Sequence, residues 1–117
     1  MNNLLSGIAP FLEGNVISKI VVHQPQLRWI VPYEVQLACQ QTINSVTRRA
    51  KYLFINTDVG ALVMHLGMSG KMRVVDTHLE RKKHDHIEIE LMTGKKLVFN
   101  DARRFGSCLW QSPTEPP

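Results

Sequence analysis

Apolar and polar residues alternate along several short stretches of the chain, and this two-residue period predicts β-strands. The same stretches are rich in β-branched and aromatic residues, which favour extended backbone. Short polar turns at 58–60 and 93–94 separate neighbouring stretches and indicate β-hairpins. The predicted strands span residues 16–23, 51–58, 60–66, 71–75, 86–92, 95–100 and 106–111.

Two other stretches have the three- and four-residue spacing of helices. The first predicts an α-helix near 3–12 that stops by Gly14, and the second predicts an α-helix over 32–41 with Pro32 in its first turn. The apolar positions of the first helix are Leu4, Leu5, Ile8, Phe11 and Leu12. Together the elements predict a mainly β (α+β) fold, an antiparallel two-layer β-sandwich with two flanking α-helices.

One side of each predicted strand should face the core. In 86–92, isoleucine and leucine alternate with Glu88, Glu90 and Met92, the pattern of a sheet with one face toward water. The 117 residues are enough for one domain, which we expect to span 1–111, with the polar, proline-rich 112–117 as a linker. The positions predicted to be buried are Leu53, Ile55, Leu62, Met64, Ile87, Ile89, Leu97 and Phe99.

The composition is that of an ordinary globular domain, with 44% hydrophobic and 21% charged residues, and this excludes wholesale disorder. Two cysteines are too few for a disulfide scaffold or a cysteine-rich zinc finger, so we expect Cys39 and Cys108 to be buried free thiols. No apolar run approaches the roughly 20 residues of a membrane span, and the stretch MNNLLSGIAP lacks the features of a secretory signal. No membrane partner is expected, and the expected compartment is the cytosol.

Positive charge gives the first functional indication. Lysine and arginine number 14 against 10 acidic residues, a formal net charge of +4, which favours a polyanionic partner because phosphate contacts release counterions. Basic residues stand beside large apolar ones in the polar, glycine-flanked loops around Met68 and Phe105. Two interpretations are open: these side chains fold back into the core, or they are wedges of the kind that DNA-kinking and base-extruding proteins insert between bases.

Four short motifs resemble a known family. RRAKYL, HLGMSG, KHDH and DARRFG, in this order and spacing, resemble the N-terminal domain of the formamidopyrimidine-DNA glycosylase family, bacterial base-excision repair enzymes also called Fpg or MutM. The resemblance runs from about Gly7 to Trp110 and implies a β-sandwich with two helices. It also implies damaged double-stranded DNA as the partner, with oxidised purines such as 8-oxoguanine and ring-opened formamidopyrimidines as substrates.

The resemblance implies DNA-binding roles for five residues. Lys51 matches the family lysine that contacts a phosphate near the lesion, and His65 matches a histidine that also touches the backbone. Met68, Arg103 and Phe105 match the three residues that fill the hole left by the flipped base. Met68 and Phe105 would be the wedges, and Arg103 would pair with the orphaned opposite base through its planar fork of donors.

The neighbouring positions inherit no role. Arg104 is interpreted as forming a salt bridge, with Asp101 as the candidate partner. Ala102 stands where the family commonly has a proline, a change that loosens the loop but leaves both arginines in place.

The start of the chain departs from the family. Members begin, after loss of methionine, with a proline whose amine forms a Schiff base and a glutamate that handles protons, in a stretch like PELPEVE. This chain starts MNNLLSGIAP and offers no match to either residue, so no catalytic residue is assigned and the polypeptide alone is expected to be inactive. The family's helical domain and zinc finger would lie beyond residue 117, so no cofactor or metal is expected within the chain.

The KHDH motif has a second interpretation. His84 and His86 point the same way on a strand and could share a metal ion, but no third ligand is obvious, so we interpret the motif as structural. The basic stretch at 81–83 is predicted to be a solvated loop, with DNA contact as the second interpretation. Trp29 and Trp110 are predicted to be core or domain-edge residues rather than base-stacking platforms.

Three functional hypotheses follow from these observations. The first is the N-terminal half of a formamidopyrimidine/8-oxoguanine DNA glycosylase with AP-lyase activity, which supplies phosphate contacts and the base-flipping wedge. The second is a non-catalytic DNA-binding module from a truncated or decayed glycosylase. The third is a folding unit without function.

Overall fold

Two four-stranded antiparallel sheets form the body of the molecule, as predicted. The computed structural model describes residues 2–113, with side chains from residue 7 onward, so the side chains of Leu4 and Leu5 and most of the predicted linker lie outside the described residues. The strand orders are β1-β6-β7-β5 and β2-β3-β4-β8. The strands are β1 (Ile17–Val22), β2 (Ser45–Arg49), β3 (Tyr52–Thr57), β4 (Gly60–His65), β5 (Lys71–Asp76), β6 (Asp85–Leu91), β7 (Lys95–Asn100) and β8 (Ser107–Gln111).

The core lies between the two sheets. All eight side chains predicted to be inside are at most 4% exposed, which confirms the strand periodicity on both sheets. Burial of this kind stabilises a fold by about 1.5–3 kcal/mol for each large apolar side chain.

No helix in the described part of the chain is long and apolar enough to cross a membrane.

The first predicted helix is present and the second is of a different kind. Helix α1 (Asn2–Leu12) contains Pro10 and is followed by Gly14 at φ +84°; its Ile8 and Leu12 are buried, whereas Phe11 is exposed. The prediction of an α-helix over 32–41 is wrong: a 3₁₀ helix covers only Tyr33–Ala38.

The shorter helix has two physical reasons, the extended backbone at both of its ends and its contacts with the rest of the fold. Pro32 and Cys39, on either side of the 3₁₀ helix, are both extended, which leaves six residues between them, and a segment so short does not repay the cost of nucleating an α-helix. The side-chain amide of Gln36 donates to the carbonyl of Ile20 at 3.0 Å, and Val35 is buried. The segment is therefore held by tertiary contacts as well as by its own backbone bonds, such as the one from the N–H of Val35 to the carbonyl of Pro32 at 3.2 Å.

Strand β2 was missed by the sequence analysis. Val46 is its only buried residue, so its alternation is too short to detect. It forms a hairpin with β3 in which Arg49 pairs with Tyr52, leaving Ala50 and Lys51 as a two-residue turn. Ala50 takes φ +54°, as such tight turns demand. Lys51 therefore stands at the tip of a hairpin rather than at the entry to a single strand.

The prediction that Glu88 faces water is also wrong. Glu88 and Lys96 are both buried and form an ion pair with Nζ and Oε2 3.1 Å apart. Lys96 also donates to the carbonyl of Leu79 at 2.8 Å, so the loop between β5 and β6 covers this part of the sheet. His23 Nε2 lies 3.5 Å from the other carboxylate oxygen. Glu88 holds a polar position of the alternating pattern and is nevertheless buried, because Lys96 pairs with it there. Buried charges require such a partner.

Candidate nucleic-acid interface

Two loops that cross between the sheets lie side by side at one edge of the sandwich. The loop at 66–70, which carries Met68, leads from β4 to β5, and the loop at 101–106 returns from β7 to β8. His65 pairs with Ser107 in one sheet, and Lys71 pairs with Asn100 in the other. Because both ends of the two loops are paired in this way, Met68 and Phe105 come together despite their separation in sequence.

Glycines allow the two loops to touch backbone to backbone. A Cβ atom on Gly106 would lie 2.4 Å from the carbonyl oxygen of His65, and one on Gly67 would lie 3.1 Å from the backbone nitrogen of Gly106. Gly67 also has φ +68°, a left-handed conformation that favours glycine. Any larger residue would push the loops apart.

The buried carboxylate of Asp101 joins the two loops. It accepts hydrogen bonds from the Ser69 hydroxyl at 2.5 Å, from the backbone N–H of Arg103 at 3.3 Å and from that of Gly106 at 2.8 Å. Its own carbonyl lies 2.6 Å from Nε2 of His86, and because a carbonyl can only accept, that nitrogen carries the proton. The KHDH and DARRFG motifs are therefore parts of one internal framework.

The salt bridge predicted between Arg104 and Asp101 is not formed. Arg104 instead donates its backbone N–H to the carbonyl of Asp101 at 3.3 Å. The carboxylate of Asp101 already accepts hydrogen bonds from the Ser69 hydroxyl and from two backbone N–H groups. The guanidinium of Arg104 stays on the exposed surface.

Asp85 is the second buried carboxylate of the framework. Burial acts to raise its pKa, but hydrogen bonds from Arg73, Asn100 and the backbone N–H of Lys82, with the charge of Arg73, outweigh burial and hold the pKa at about 2. Two hydrogen bonds from the guanidinium of Arg73, at 3.0 and 2.7 Å, fix the Asp85 carboxylate.

Among the described residues, no group of three or more histidine, cysteine or acidic side chains is arranged to hold a metal ion.

A hollow of about 280 Å³ opens beside the two loops. Lys51 from the hairpin tip lines it together with Tyr52, His65, Met68 and Phe105. Nδ1 of His65 accepts a hydrogen bond from the backbone N–H of Gly67 at 3.1 Å, so in the neutral ring Nε2 carries the proton and can donate. A lysine and a histidine donor on one wall suit an anion such as a phosphate.

Met68 and Phe105 do not fold back into the core. Met68 is 88% exposed and Phe105 is 46% exposed, which excludes the interpretation that both are core residues. The guanidinium carbon of Arg103 lies 5.3 Å from the centre of the Phe105 ring, within the range of a cation–π contact. Two large apolar side chains thus project from glycine-flanked loops next to positive charge.

A second hollow, of about 550 Å³, lies on the Arg103 side of Phe105. Arg28 and Trp29 line both hollows, and the backbone N–H of Arg28 donates to the carbonyl of Gly106 at 3.1 Å. Trp29 is 57% exposed, so it is a surface residue of the site and not a core residue, whereas Trp110 is half-buried against the core. The residues lining this hollow are Gln26, Leu27, Arg28, Trp29, Arg103, Arg104 and Phe105.

The five residues singled out by resemblance therefore converge. Lys51, His65, Met68 and Phe105 line one hollow, and Arg103 lines the adjoining one, which shares Phe105. No aspartate or glutamate lines either hollow in the part of the chain that the structure describes.

Comparison with known proteins agrees with this geometry. The formamidopyrimidine-DNA glycosylase N-terminal domain matches residues 1–108. The chain is 56% identical over 110 residues to a formamidopyrimidine-DNA glycosylase of Pseudoalteromonas atlantica and 48% identical over 107 residues to that of Photobacterium profundum. These alignments cover 94% and 92% of the chain but 41% and 40% of the relatives, so the chain spans about two fifths of their length.

Solved structures give the same result. The Lactococcus lactis Fpg (MutM) in complex with a FAPY-dG containing DNA superposes with a TM-score of 0.87 at 27% identity, over 96% of this chain and 43% of that one. MutM in complex with carbocyclic 8-oxo-G containing DNA superposes with a TM-score of 0.82 at 28% identity, over 91% and 41%. The chain therefore belongs to the formamidopyrimidine-DNA glycosylase family, of which it represents the N-terminal domain.

Proposed function

We propose that this chain supplies the lesion-facing side of a base-excision DNA glycosylase with AP-lyase activity on formamidopyrimidine and 8-oxoguanine lesions. The observation that carries the proposal is the exposure of Met68 and Phe105 beside Lys51, His65 and Arg103. A large apolar side chain gains about 1.5–3 kcal/mol when it leaves water. Inserting two of them between bases offsets part of the few kcal/mol that unstacking a base step costs.

Each side chain has a distinct task in this proposal. Lys51 and His65 hold the backbone of the damaged strand through charge and a ring N–H donor. Met68 and Phe105 occupy the space left by the extruded base, and Arg103, stacked on Phe105, presents its donors to the base that has lost its partner. The fixed backbone contact between the two loops keeps these groups in one arrangement before DNA arrives.

Catalysis in this family depends on groups that the 117 residues do not match. The proposed whole-protein reaction attacks the sugar with a proline amine, releases the base through a Schiff base and nicks the strand by β,δ-elimination. No residue of MNNLLSGIAP matches that proline or its glutamate, so the proposal gives these residues DNA-binding roles and assigns no catalytic one. The second candidate is a non-catalytic DNA-binding module. Both candidates require the same DNA-binding face and differ only in the chemistry.

Binding is tested by fluorescence anisotropy with a duplex that carries an abasic-site analogue, at about 50 and 200 mM salt. We expect weak, steeply salt-dependent binding, with a dissociation constant of about 10⁻⁴ to 10⁻⁶ M. Lys51→Gln should weaken it and lower the slope of log K against log salt by about 1. Lys19→Gln, which removes an equal charge from an exposed position on β1, is the matched control. Absence of binding at the lower salt would favour a folding unit without function.

Borohydride trapping on an abasic oligonucleotide tests the chemistry of the 117-residue polypeptide itself. We expect no covalent adduct with the 117-residue polypeptide, because neither Met1 nor Lys51 is a terminal proline aimed at the sugar, and misplacement by about 1 Å costs roughly a hundredfold in rate. An adduct that disappears in Lys51→Gln, or after the N-terminus is blocked, would show that this polypeptide has a nucleophile of its own.

A further inference from the structure

The second hollow contains two arginines that the proposed function leaves unused. Arg28 and Arg104 line it beside Arg103, both are exposed, and neither forms an ion pair among the residues the structure describes. Three guanidinium groups with no carboxylate among the lining residues repel one another, which favours an anion between them. Guanidinium also matches phosphate oxygens with two parallel donors.

Arg28 is held in place by its own loop. Gln26 and Ile30 form an isolated antiparallel bridge, and the backbone N–H of Val31 donates to the carbonyl of Pro25 at 2.9 Å. The bond from Arg28 to the carbonyl of Gly106 fastens this loop to the one that carries Phe105. The guanidinium carbon of Arg28 lies 5.6 Å from the centre of the Trp29 ring, which orients it over the aromatic face.

Arg104 is held in an uncommon backbone conformation. Its φ of +58° lies in the left-handed region, which is costly for a residue other than glycine, asparagine or aspartate. The bond from its N–H to the carbonyl of Asp101 holds this conformation. The exposed side chain of Arg104 therefore starts from a fixed backbone next to the proposed wedge.

We propose that Arg28 and Arg104 form a second phosphate-binding site, which takes the backbone of the DNA strand opposite the one held by Lys51 and His65. This inference rests on the proposed function. Phe105 lines both hollows, so a duplex that receives it as a wedge places one strand on each side. Lys51 and His65 line only the hollow on one side of that wedge, and Arg104 lines only the hollow on the other. Arg28 lines both hollows and therefore lies where they adjoin.

The test compares Arg28→Gln and Arg104→Gln with the wild-type chain by anisotropy on duplex and on single-stranded DNA. Each substitution keeps an exposed side chain of similar length and removes the charge, and circular dichroism checks the fold. We expect each variant to lower the slope of log K against log salt for duplex binding by about 1. Between about 50 and 200 mM salt, each variant should then lose three- to fourfold less affinity than the wild type loses. Binding of the damaged strand alone should not change, and the Arg→Lys variants should keep the wild-type slope.

Neutral methylphosphonate linkages identify the strand. Placed in the strand opposite the lesion, these linkages should abolish the difference in salt slope between the wild type and the two variants. The same linkages in the damaged strand should leave that difference unchanged. For Lys51→Gln, linkages in the damaged strand should abolish the difference in salt slope from the wild type, and linkages in the opposite strand should leave it unchanged. The inference is overturned if the wild type binds duplex and the arginine variants keep its salt slope. It is also overturned if linkages in the damaged strand, rather than in the opposite strand, abolish the difference between the wild type and these variants. Absence of any wild-type binding overturns the proposed function and this inference together.

Discussion

The hydroxyl of Ser69 donates a 2.5 Å hydrogen bond to the carboxylate of Asp101, and this bond joins the loop of Met68 to the loop of Phe105. The same carboxylate receives the backbone N–H groups of Arg103 and Gly106. The proposed wedges are therefore positioned by bonds inside the protein, so little conformational entropy remains to be lost when DNA binds.

Asp101→Ala is expected to lower the free energy of unfolding by about 2–4 kcal/mol, because it leaves buried backbone donors without an acceptor. Ser69→Ala should lower it by about 1–2 kcal/mol, since it removes one bond to a charged group. Urea denaturation measures both values. Met68→Ala is the control: its side chain is exposed, so its stability should stay within about 0.5 kcal/mol of the wild type while DNA binding falls. Equal stability of Asp101→Ala and Met68→Ala would contradict the role given to this carboxylate.

Two glycine-to-alanine substitutions should have opposite effects. Gly106→Ala places a methyl group 2.4 Å from the His65 carbonyl and 2.7 Å from the Phe99 ring, so the loops must separate, and we expect a loss of about 2–4 kcal/mol. Gly7→Ala lies in α1 with nothing within 4 Å, and should stabilise the helix by about 0.5–1 kcal/mol. Thermal unfolding of the two variants side by side gives the comparison, and a stable Gly106→Ala would show that the loops are not tightly packed.

Seven of the eight strands were predictable because their signal is local. Residues such as Ile87 and Ile89 alternate with polar neighbours, and burial against the second sheet follows from that period alone. The 3₁₀ helix was not, because its form depends on the extended Pro32 and Cys39 and on the bond from Gln36 to a distant strand. Propensity and spacing carry no information about such tertiary contacts.

The candidate site was predictable only in part. Met68 and Phe105 stood out as large apolar residues in polar loops, and the family motifs supplied the rest of the five. Arg28 was not singled out, and Trp29 was predicted to be a core or domain-edge residue, because their segment has no period and reaches the site through a long-range backbone bond to Gly106. The pairing that brings the two crossing loops together is likewise a property of the sheets and not of the loop sequences.

Acid should destabilise the framework through Asp85. Its pKa is about 2 in the fold against an ordinary value of 3.8, so the unfolded chain takes up the proton first as the pH falls. The stability that this group contributes is complete above about pH 4 and is lost as the pH falls through about 2. Urea titrations between these pH values should show the loss, and in Asp85→Asn this part of the pH dependence should be absent at a lower overall stability. A wild-type profile identical in shape to that of Asp85→Asn would contradict the role of Arg73 and Asn100.

The two cysteines should differ sharply in reactivity. Burial raises the pKa of the Cys108 thiol to about 12, so almost no thiolate exists near neutral pH, and the side chain is only 1% exposed. Cys39, at the end of the 3₁₀ helix, is partly exposed, and its thiol donates to the side-chain carbonyl of Gln36 at 3.3 Å. A disulfide reagent such as Ellman's should therefore modify Cys39 in the folded protein and reach Cys108 only after denaturant is added.

Cys39→Ser provides the control for this assignment. It should remove the fast modification of the folded chain, leaving only the slow reaction of Cys108, because Cys108 sits on β8 with its side chain in the core. The rate at which Cys108 reacts without denaturant then reports how often the sheet of β4 and β8 opens. Since His65 and Ser107 form the last pair of that sheet, Gly106→Ala in the Cys39→Ser background should accelerate the reaction if the loops and the sheet edge open together. An unchanged rate in a destabilised Gly106→Ala variant would show instead that the loops separate without opening the strands beneath them.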